Sequence, residues 1–591
     1  MTIQFEDIGS YIHHKCMSKG LVTFNRNMQT TFKYFYKKID STTDDITILK
    51  QLIEKCENKI ERILHNEDFY ELFYWSRRIR PYNVFNIDNI TYNGYREVYN
   101  LAIKKYTILD SSSIFFNTEY AMPNYLTVAI EGNKMHADKI TDAIMSKSAR
   151  ALNKCYLLEK LCYYLSSLNQ DYRKLSKGGW LEIDTEEGIT VKVNEEIQKM
   201  IDLYDERLSH SNLFSYAGAN INYNFNNQNK AMMLSFFLDN YSNINLGEFM
   251  VDDRINIPNQ TTNFIPFAVS LNEFYGFASN YSNEFKNYYG FTIDTYLAFV
   301  YSINMSNMVM LLRNPNRLQT LCMRAYTIYK IENLLDDLDF LMPDILKITN
   351  LNVKEIDLEE IPAILDFIEL SADKQSDISL TTSQGGKAMI HMKESLGLLD
   401  YRSFLDFVSN ILDPITKEED TTGDLFEQQV VKTITEVFGH DCIVAEDKML
   451  KINANNKREI DIAFVYDDVL FILECKSVNV SLGFFRGDSQ SVEFRNRKNK
   501  KAIEQSNKTS KFINDNFEAL REKYAEVFPT NIKSIASLIV SIQPEYIWSD
   551  SDELFISPNL PRILTPSELK VLKEINISDS LQGKPFSIDL E

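Results

Sequence analysis

Through most of the first 370 positions apolar residues recur at three- and four-residue intervals, the spacing that lines them along one face of an α-helix. Ile46, Leu49, Leu52, Ile53, Cys56, Ile60, Ile63 and Leu64 keep that period and predict a helix from Thr43 to about His65. Comparable patterns predict helices around Met135 to Leu168, Val193 to Leu208, Asp294 to Leu312, Leu318 to Leu341 and Ile356 to Leu370. The most apolar stretch, Tyr296 to Leu312, carries Ser302, Asn304, Ser306 and Asn307, so a buried helix is expected there rather than a membrane span. A β-hairpin is expected near Trp180 to Val193, with Thr185-Glu186-Glu187-Gly188 as its turn. Between Asn212 and Asn283 the chain is rich in Asn, Tyr and Phe and shows neither period, and no repeat of fixed length runs through the chain.

Beyond residue 370 the pattern changes. Ser371 to Gln384 is polar and reads as a linker entering a small hairpin, and Gln384-Gly385-Gly386-Lys387 reads as a turn because it lacks the glycine spacing of a phosphate-binding loop. Tyr401 to Leu412 predicts a short amphipathic helix, and Asp413 to Thr422 a charged linker. From Gly423 the order is a helix capped by Asp424 and stopped by Gly439, a strand near Cys442 to Ile452, a hairpin, a basic loop, a helix over Asn499 to Ile513 and a strand over Ile535 to Ile542. Thr565-Pro566-Ser567-Glu568 then has the residues of a helix start. The expected fold is multidomain: a mainly α-helical region over 1–370, a hairpin, helix and linker over 371–422, and an α/β domain with a mixed central sheet over 423–591.

The chemistry concentrates in the hairpin, Arg458 to Ser477, whose two β-branched and aromatic runs flank Asp467-Asp468. If those two residues form the turn, Tyr466 pairs with Val469 and Asp461 lies opposite Glu474. Glu474 and Lys476 then project to one face, and Ile462, Phe464, Phe471, Leu473 and Cys475 to the other. Both faces are otherwise apolar, the pattern of a strand covered on each side, where facing carboxylates need a proton or a cation between them. Mg2+ commonly takes one or two carboxylates plus water and phosphate, so Asp461 and Glu474 read as half of a metal site. The alternative is a cross-strand salt bridge to Lys476 with no chemistry.

Composition narrows the partners. With 63 basic and 83 acidic side chains the formal net charge is −20, which argues against nonspecific coating of nucleic acid or anionic membrane. Any nucleic-acid contact must come from a local patch, for which Arg486, Arg495, Arg497, Lys498, Lys500 and Lys501 are the candidates. The seven cysteines are scattered, as reduced core thiols of a cytoplasmic protein would be, and His13-His14 with Cys16 fits no usual zinc spacing and reads as local surface residues. The first residues lack the basic and apolar regions of a signal peptide, so none is expected.

Asp461, a hydrophobic spacer and Glu474-Cys475-Lys476 together resemble the core of the PD-(D/E)XK nuclease superfamily, in its Mrr-like and nuclease-related branch. Ile460 stands where that superfamily often has proline. The resemblance covers 423–591 and implies a restriction-endonuclease-like fold and a Mg2+- or Mn2+-dependent nuclease, with Asp461, Glu474, the Cys475 carbonyl and Glu427 as metal ligands. It implies Lys476 as a catalytic residue and Gln505, on the helix that follows, as a further site residue. It further implies DNA ahead of RNA as substrate and a bacterial defence or restriction setting, with the N-terminal region as sensor, oligomerisation or partner-binding part. An idle nuclease fold that only binds nucleic acid or protein, or an RNA-cleaving effector, is the alternative.

Overall fold

The computed structural model describes residues 8–22, 33–36, 43–79, 90–110, 116–210 with three short gaps, 278–313, 326–348, 353–400 with two gaps, 421–477 and 489–590, together with isolated positions between 250 and 275 and between 403 and 415. Arg486, the turn residues Gln384 to Gly386, most of the helix expected over Tyr401 to Leu412, most of the following linker and most of 212–283 lie outside the described residues.

The N-terminal part is built from α1 (Ile8–Ser18), α2 (Asp45–Leu64), α3 (Phe69–Ile79), α4 (Ile90–Tyr106) and α5 (Asp142–Leu175). Asp44 opens α2 by accepting from the Thr47 N–H at 3.0 Å, and Thr141 opens α5 in the same way. α5 is 34 residues long and packs against the four helices before it, with Leu152, Cys162 and Leu165 fully buried. The expected hairpin follows as β1 (Trp180–Asp184) and β2 (Gly188–Lys192), then α6 (Glu195–His210) and α7 (Ile293–Arg313). Residues 293 and 296–301 of α7 are fully buried, and no helix among the described residues is long and apolar enough to cross a membrane. The described cysteines are free thiols; of the group expected at the surface His14 is exposed, whereas Cys16 belongs to the core and His13 is half-buried and bonds the Tyr156 hydroxyl at 2.8 Å.

A sheet crosses the division expected at residue 370. β3 (Tyr326–Lys330) leads into α8 (Ile331–Ile348), α9 (Ile361–Ile368) runs into β4 (Glu369–Leu370), and β5 (Met389–His391) and β6 (Leu396–Asp400) complete the order β4-β5-β6-β3. Leu370, Ile390 and Leu398 share the core of α1 to α5, so residues up to 400 complete the N-terminal part. Tyr326-Thr-Ile-Tyr is a strand where helical spacing predicted Leu318 to Leu341 as one helix, because pairing with β6 overrides the local period. Asp400 ties this sheet to the helices. Arg77 donates to it at 3.0 Å, Lys104 at 2.8 Å and Asn100 at 3.0 Å, with the three charged side chains wholly buried. Burial alone would raise the Asp400 carboxyl, but the Arg77 and Lys104 charges outweigh it and hold the acid well below its usual range.

The C-terminal part runs α10 (Thr421–Phe438), β7 (Ile443–Lys451), β8 (Lys457–Tyr466), β9 (Val469–Lys476), α11 (Ser489–Asp515), α12 (Phe517–Lys523), β10 (Ser534–Ser541), β11 (Ile563–Leu564) and β12 (Ser587–Asp589). Its mixed six-stranded sheet has the order β7-β8-β9-β10-β11, with β12 antiparallel on β10. β7, β8 and β9 are antiparallel neighbours, and α11 carries the chain across to β10, which lies parallel to β9. Phe426, Val430 and Ile434 of α10 cover one face through Ile462, Phe464, Phe471 and Leu473; Phe512, Ile513 and Leu520 cover the other through Ala463, Leu470 and Ile472. The Thr565 capping box forms as expected but opens a 3-10 helix, Pro566–Lys573. The basic run Phe494 to Lys501, expected as a loop, is part of α11, which begins ten residues earlier than predicted.

Removing the Asp400 charge while keeping its shape, as in Asp400→Asn, leaves Arg77 and Lys104 buried without a counter-charge and is expected to cost about 3–5 kcal/mol. Denaturant unfolding followed by helical circular dichroism measures this. Lys139→Ala, which breaks the exposed pair with Glu131, is the control and should cost no more than about 1 kcal/mol.

Candidate active site

Asp467 and Asp468 both adopt positive φ, at 52° and 61°, as a two-residue turn requires if its twist is to match the flanking strands. That turn sets Tyr466 against Val469 and carries the register to Ile462 against Leu473. There the backbone ladder stops. One residue further, where the same register would bring Asp461 opposite Glu474, the Asp461 carboxylate itself accepts the Cys475 N–H at 2.6 Å. The N–H and C=O of a strand residue point to the same edge, so the Cys475 carbonyl is also turned toward the Asp461 strand. Alternation then places Asp461, Glu474 and Lys476 on the face of Ala463 and Ile472, the side covered by α11.

Burial raises Asp461, Glu474 raises it further, and its carboxyl reaches about 6. Glu427 on α10 rises to about 7, first through burial and then through the Asp461 charge. Asp461 therefore interacts with two other acids, Glu474 and Glu427, at the open end of the hairpin. Lys476 Nζ donates to Glu474 at 2.5 Å, with both groups partly exposed. Cys475 faces the α10 core, and burial pushes its thiol far up, as suits an inert packing residue.

Gln505 comes to the same place from α11. It lines a crevice of about 210 Å³ together with Lys476, Lys498 and Lys501. Arg497 and Lys500 are exposed on the same helix, with the Lys500 amine 5.9 Å from the centroid of Trp548. Arg495 is the exception among the predicted phosphate contacts. It is 3% exposed and gives its guanidinium to Glu545, whose carboxylate also receives Asn499 at 2.6 Å and Ser541 at 2.7 Å. Its charge is thus spent inside the protein and cannot serve a phosphate. Sequence reading overlooked Asn499, Ser541 and Glu545. A signal existed in the spacing, since Val492, Arg495, Asn499, Ala502 and Ser506 recur at helical intervals and all are buried.

Among the described residues no three His, Cys, Asp or Glu side chains stand as a ready metal cage. The donor set still fits a hard cation, because Mg2+ needs only one or two carboxylates beside water and phosphate, and Asp461 and Glu474 supply two with the Cys475 carbonyl on the same edge. Asp461 and Glu427 are raised first by burial and then by neighbouring acids, and for Asp461 the Lys476 charge offsets only part of the rise. Compared with known proteins, the chain matches no family model, no curated protein and no solved structure.

The sign of the pH dependence follows from these acids. The folded chain binds their protons more tightly than the unfolded chain, so there is no penalty below the ordinary values of 3.8 and 4.5, and the penalty is complete above about 7. Asp461→Asn should therefore melt with wild type near pH 4 and above it near pH 8, by on the order of 1–2 kcal/mol. Added Mg2+ should raise the wild-type melting temperature at the higher pH and leave the variant unmoved, as read by calorimetry.

Proposed function

We propose that the C-terminal part is a metal-dependent nuclease of the PD-(D/E)XK kind, hydrolysing phosphodiester bonds of nucleic acid, DNA first, as a defence or restriction effector. The observation that carries this reading is the meeting of Asp461, Glu474 and Lys476 at the end of the β8–β9 ladder, inside a sheet covered on both faces. The order α10, three antiparallel strands, α11 and a parallel strand supports the same reading.

In this reading Asp461 and Glu474 hold Mg2+ or Mn2+, which when bound polarises a phosphodiester oxygen and makes a water more acidic. Asp461 is fixed for that task by the Cys475 N–H, which aims one carboxylate oxygen at the backbone and leaves the other for the site. Lys476 exchanges its bond to Glu474 for the attacking water or the charge that builds on the phosphoryl oxygens. Glu427, raised by burial and by the Asp461 charge, would join Asp461 and Glu474 as a further carboxylate toward the cation. Gln505 offers an amide from the opposite wall. The Lys476–Glu474 pair also accommodates the second reading, an idle fold that binds nucleic acid without cutting it.

Incubation with plasmid, linear duplex, single-stranded DNA and RNA separates the two. Cleavage with Mg2+ or Mn2+, absent with EDTA and absent in Asp461→Ala and Glu474→Ala, is expected, and Lys476→Ala should lose about 10²–10³-fold in rate. A Lys476→Ala protein that cuts at the wild-type rate overturns the role given to that lysine. Equal binding by wild type and Asp461→Ala with no cutting of any substrate favours the idle fold.

A further inference from the structure

We propose that the crevice between α11 and the ends of β9, β10 and β11 holds one nucleotide unit by its phosphate; this rests on reading the neighbouring carboxylates as a phosphodiester-cleaving site. The position carries the first part of the argument. β9, β10 and β11 are mutually parallel, and Lys476 and Ser541, the last residues of β9 and β10, line the crevice with α11 across it. In open α/β sheets, ligands lie outside the carboxyl ends of the strands.

Charge carries the second part. Among the described residues the crevice has one acid, Glu545, and that carboxylate is already occupied by Arg495, Asn499 and Ser541. Lys498 and Lys501 stand three residues apart on α11, both exposed, and neither has a carboxylate partner among the described residues. The crevice is therefore cationic within an acidic protein. Its apolar wall, Ile539, Ala502 and Ile563, suits the carbon face of a sugar or base, while the Gln505 side chain, with no hydrogen bond among the described residues, can both donate and accept.

The occupant is then a nucleotide next to the bond being cut, with its phosphate on Lys498 and Lys501 and its sugar or base against the apolar wall.

Titration calorimetry of the full chain in EDTA with a 5′-mononucleotide, the matching nucleoside and inorganic phosphate tests this without any turnover. The mononucleotide should bind measurably tighter than inorganic phosphate and the nucleoside should not bind. Lys498→Ala/Lys501→Ala should weaken the mononucleotide about tenfold or more, while Lys508→Ala/Lys511→Ala, exposed further along the same helix, should not. Asp461→Asn should keep the affinity. Phosphate and mononucleotide binding equally, or the Lys498/Lys501 double variant binding as wild type, overturns the proposal. Mononucleotide binding that depends on these lysines in a protein that cuts nothing leaves the pocket standing and removes the nuclease reading. Metal-dependent cutting with no mononucleotide bound removes the pocket alone.

Discussion

The C-terminal site depends on where the β8–β9 ladder stops. Had pairing continued one residue beyond Ile462 and Leu473, Asp461 would be held as a ladder residue facing Glu474. Instead its side chain replaces the backbone partner of Cys475, which satisfies a strand N–H and fixes the carboxylate in a single act. The cost is electrostatic: a half-buried acid beside a second acid, with a third across the sheet edge. Apolar packing on both faces of the hairpin supplies the stability that lets such a group persist, because Phe464, Phe471, Leu470 and Ile472 are all buried beneath the covering helices.

The helical part is not a distant appendage of this site. Arg207 on α6 donates to both Glu568 oxygens and to the carbonyls of Glu545 and Ile563, two residues that line the crevice. Met200 and Tyr204 pack with Ala502, Ile503 and Ile539, and Lys177 rests against the rings of Tyr204 and Tyr546 at 4.8 and 3.8 Å. At the start of α11, Glu493 receives Lys50 at 2.9 Å and the Tyr172 hydroxyl at 2.5 Å. The helix that carries Lys498, Lys501 and Gln505 is thus gripped by α2, α5 and α6, so any movement of the helical part bears on the crevice through direct contacts.

How much of this was legible depends on whether the determining interaction is local. The β8–β9 hairpin was readable from alternation and a two-residue turn, and both faces and the register came out as expected up to Leu473. The place where the ladder gives way was not, because it is a choice between a backbone carbonyl and a side chain that no spacing encodes. β3 was hidden inside a helical period because its partner, β6, lies some seventy residues on. The joining of 371–400 to the N-terminal core has the same cause, a non-local sheet built from very short strands. Arg495 is misread when the basic run is treated as one exposed surface, because it falls in the buried stripe of Val492, Asn499, Ala502 and Ser506.

A chain of net charge −20 can still carry a local patch of positive sign. Exposed charges farther apart than about 8–10 Å are largely screened at physiological salt, so what a phosphate meets is the local sign, not the total. Glu545 would cancel that local sign if its carboxylate faced the crevice unpaired. The protein instead buries Arg495 beside it and adds Asn499 and Ser541, turning a cation that looked available in sequence into the device that neutralises this acid of the wall. A buried Arg–Glu pair adds little stability over apolar packing, so its value here lies in the field it leaves behind. Lys498 and Lys501 have no carboxylate partner among the described residues and lie on the same face of α11 as Gln505, across from Lys476.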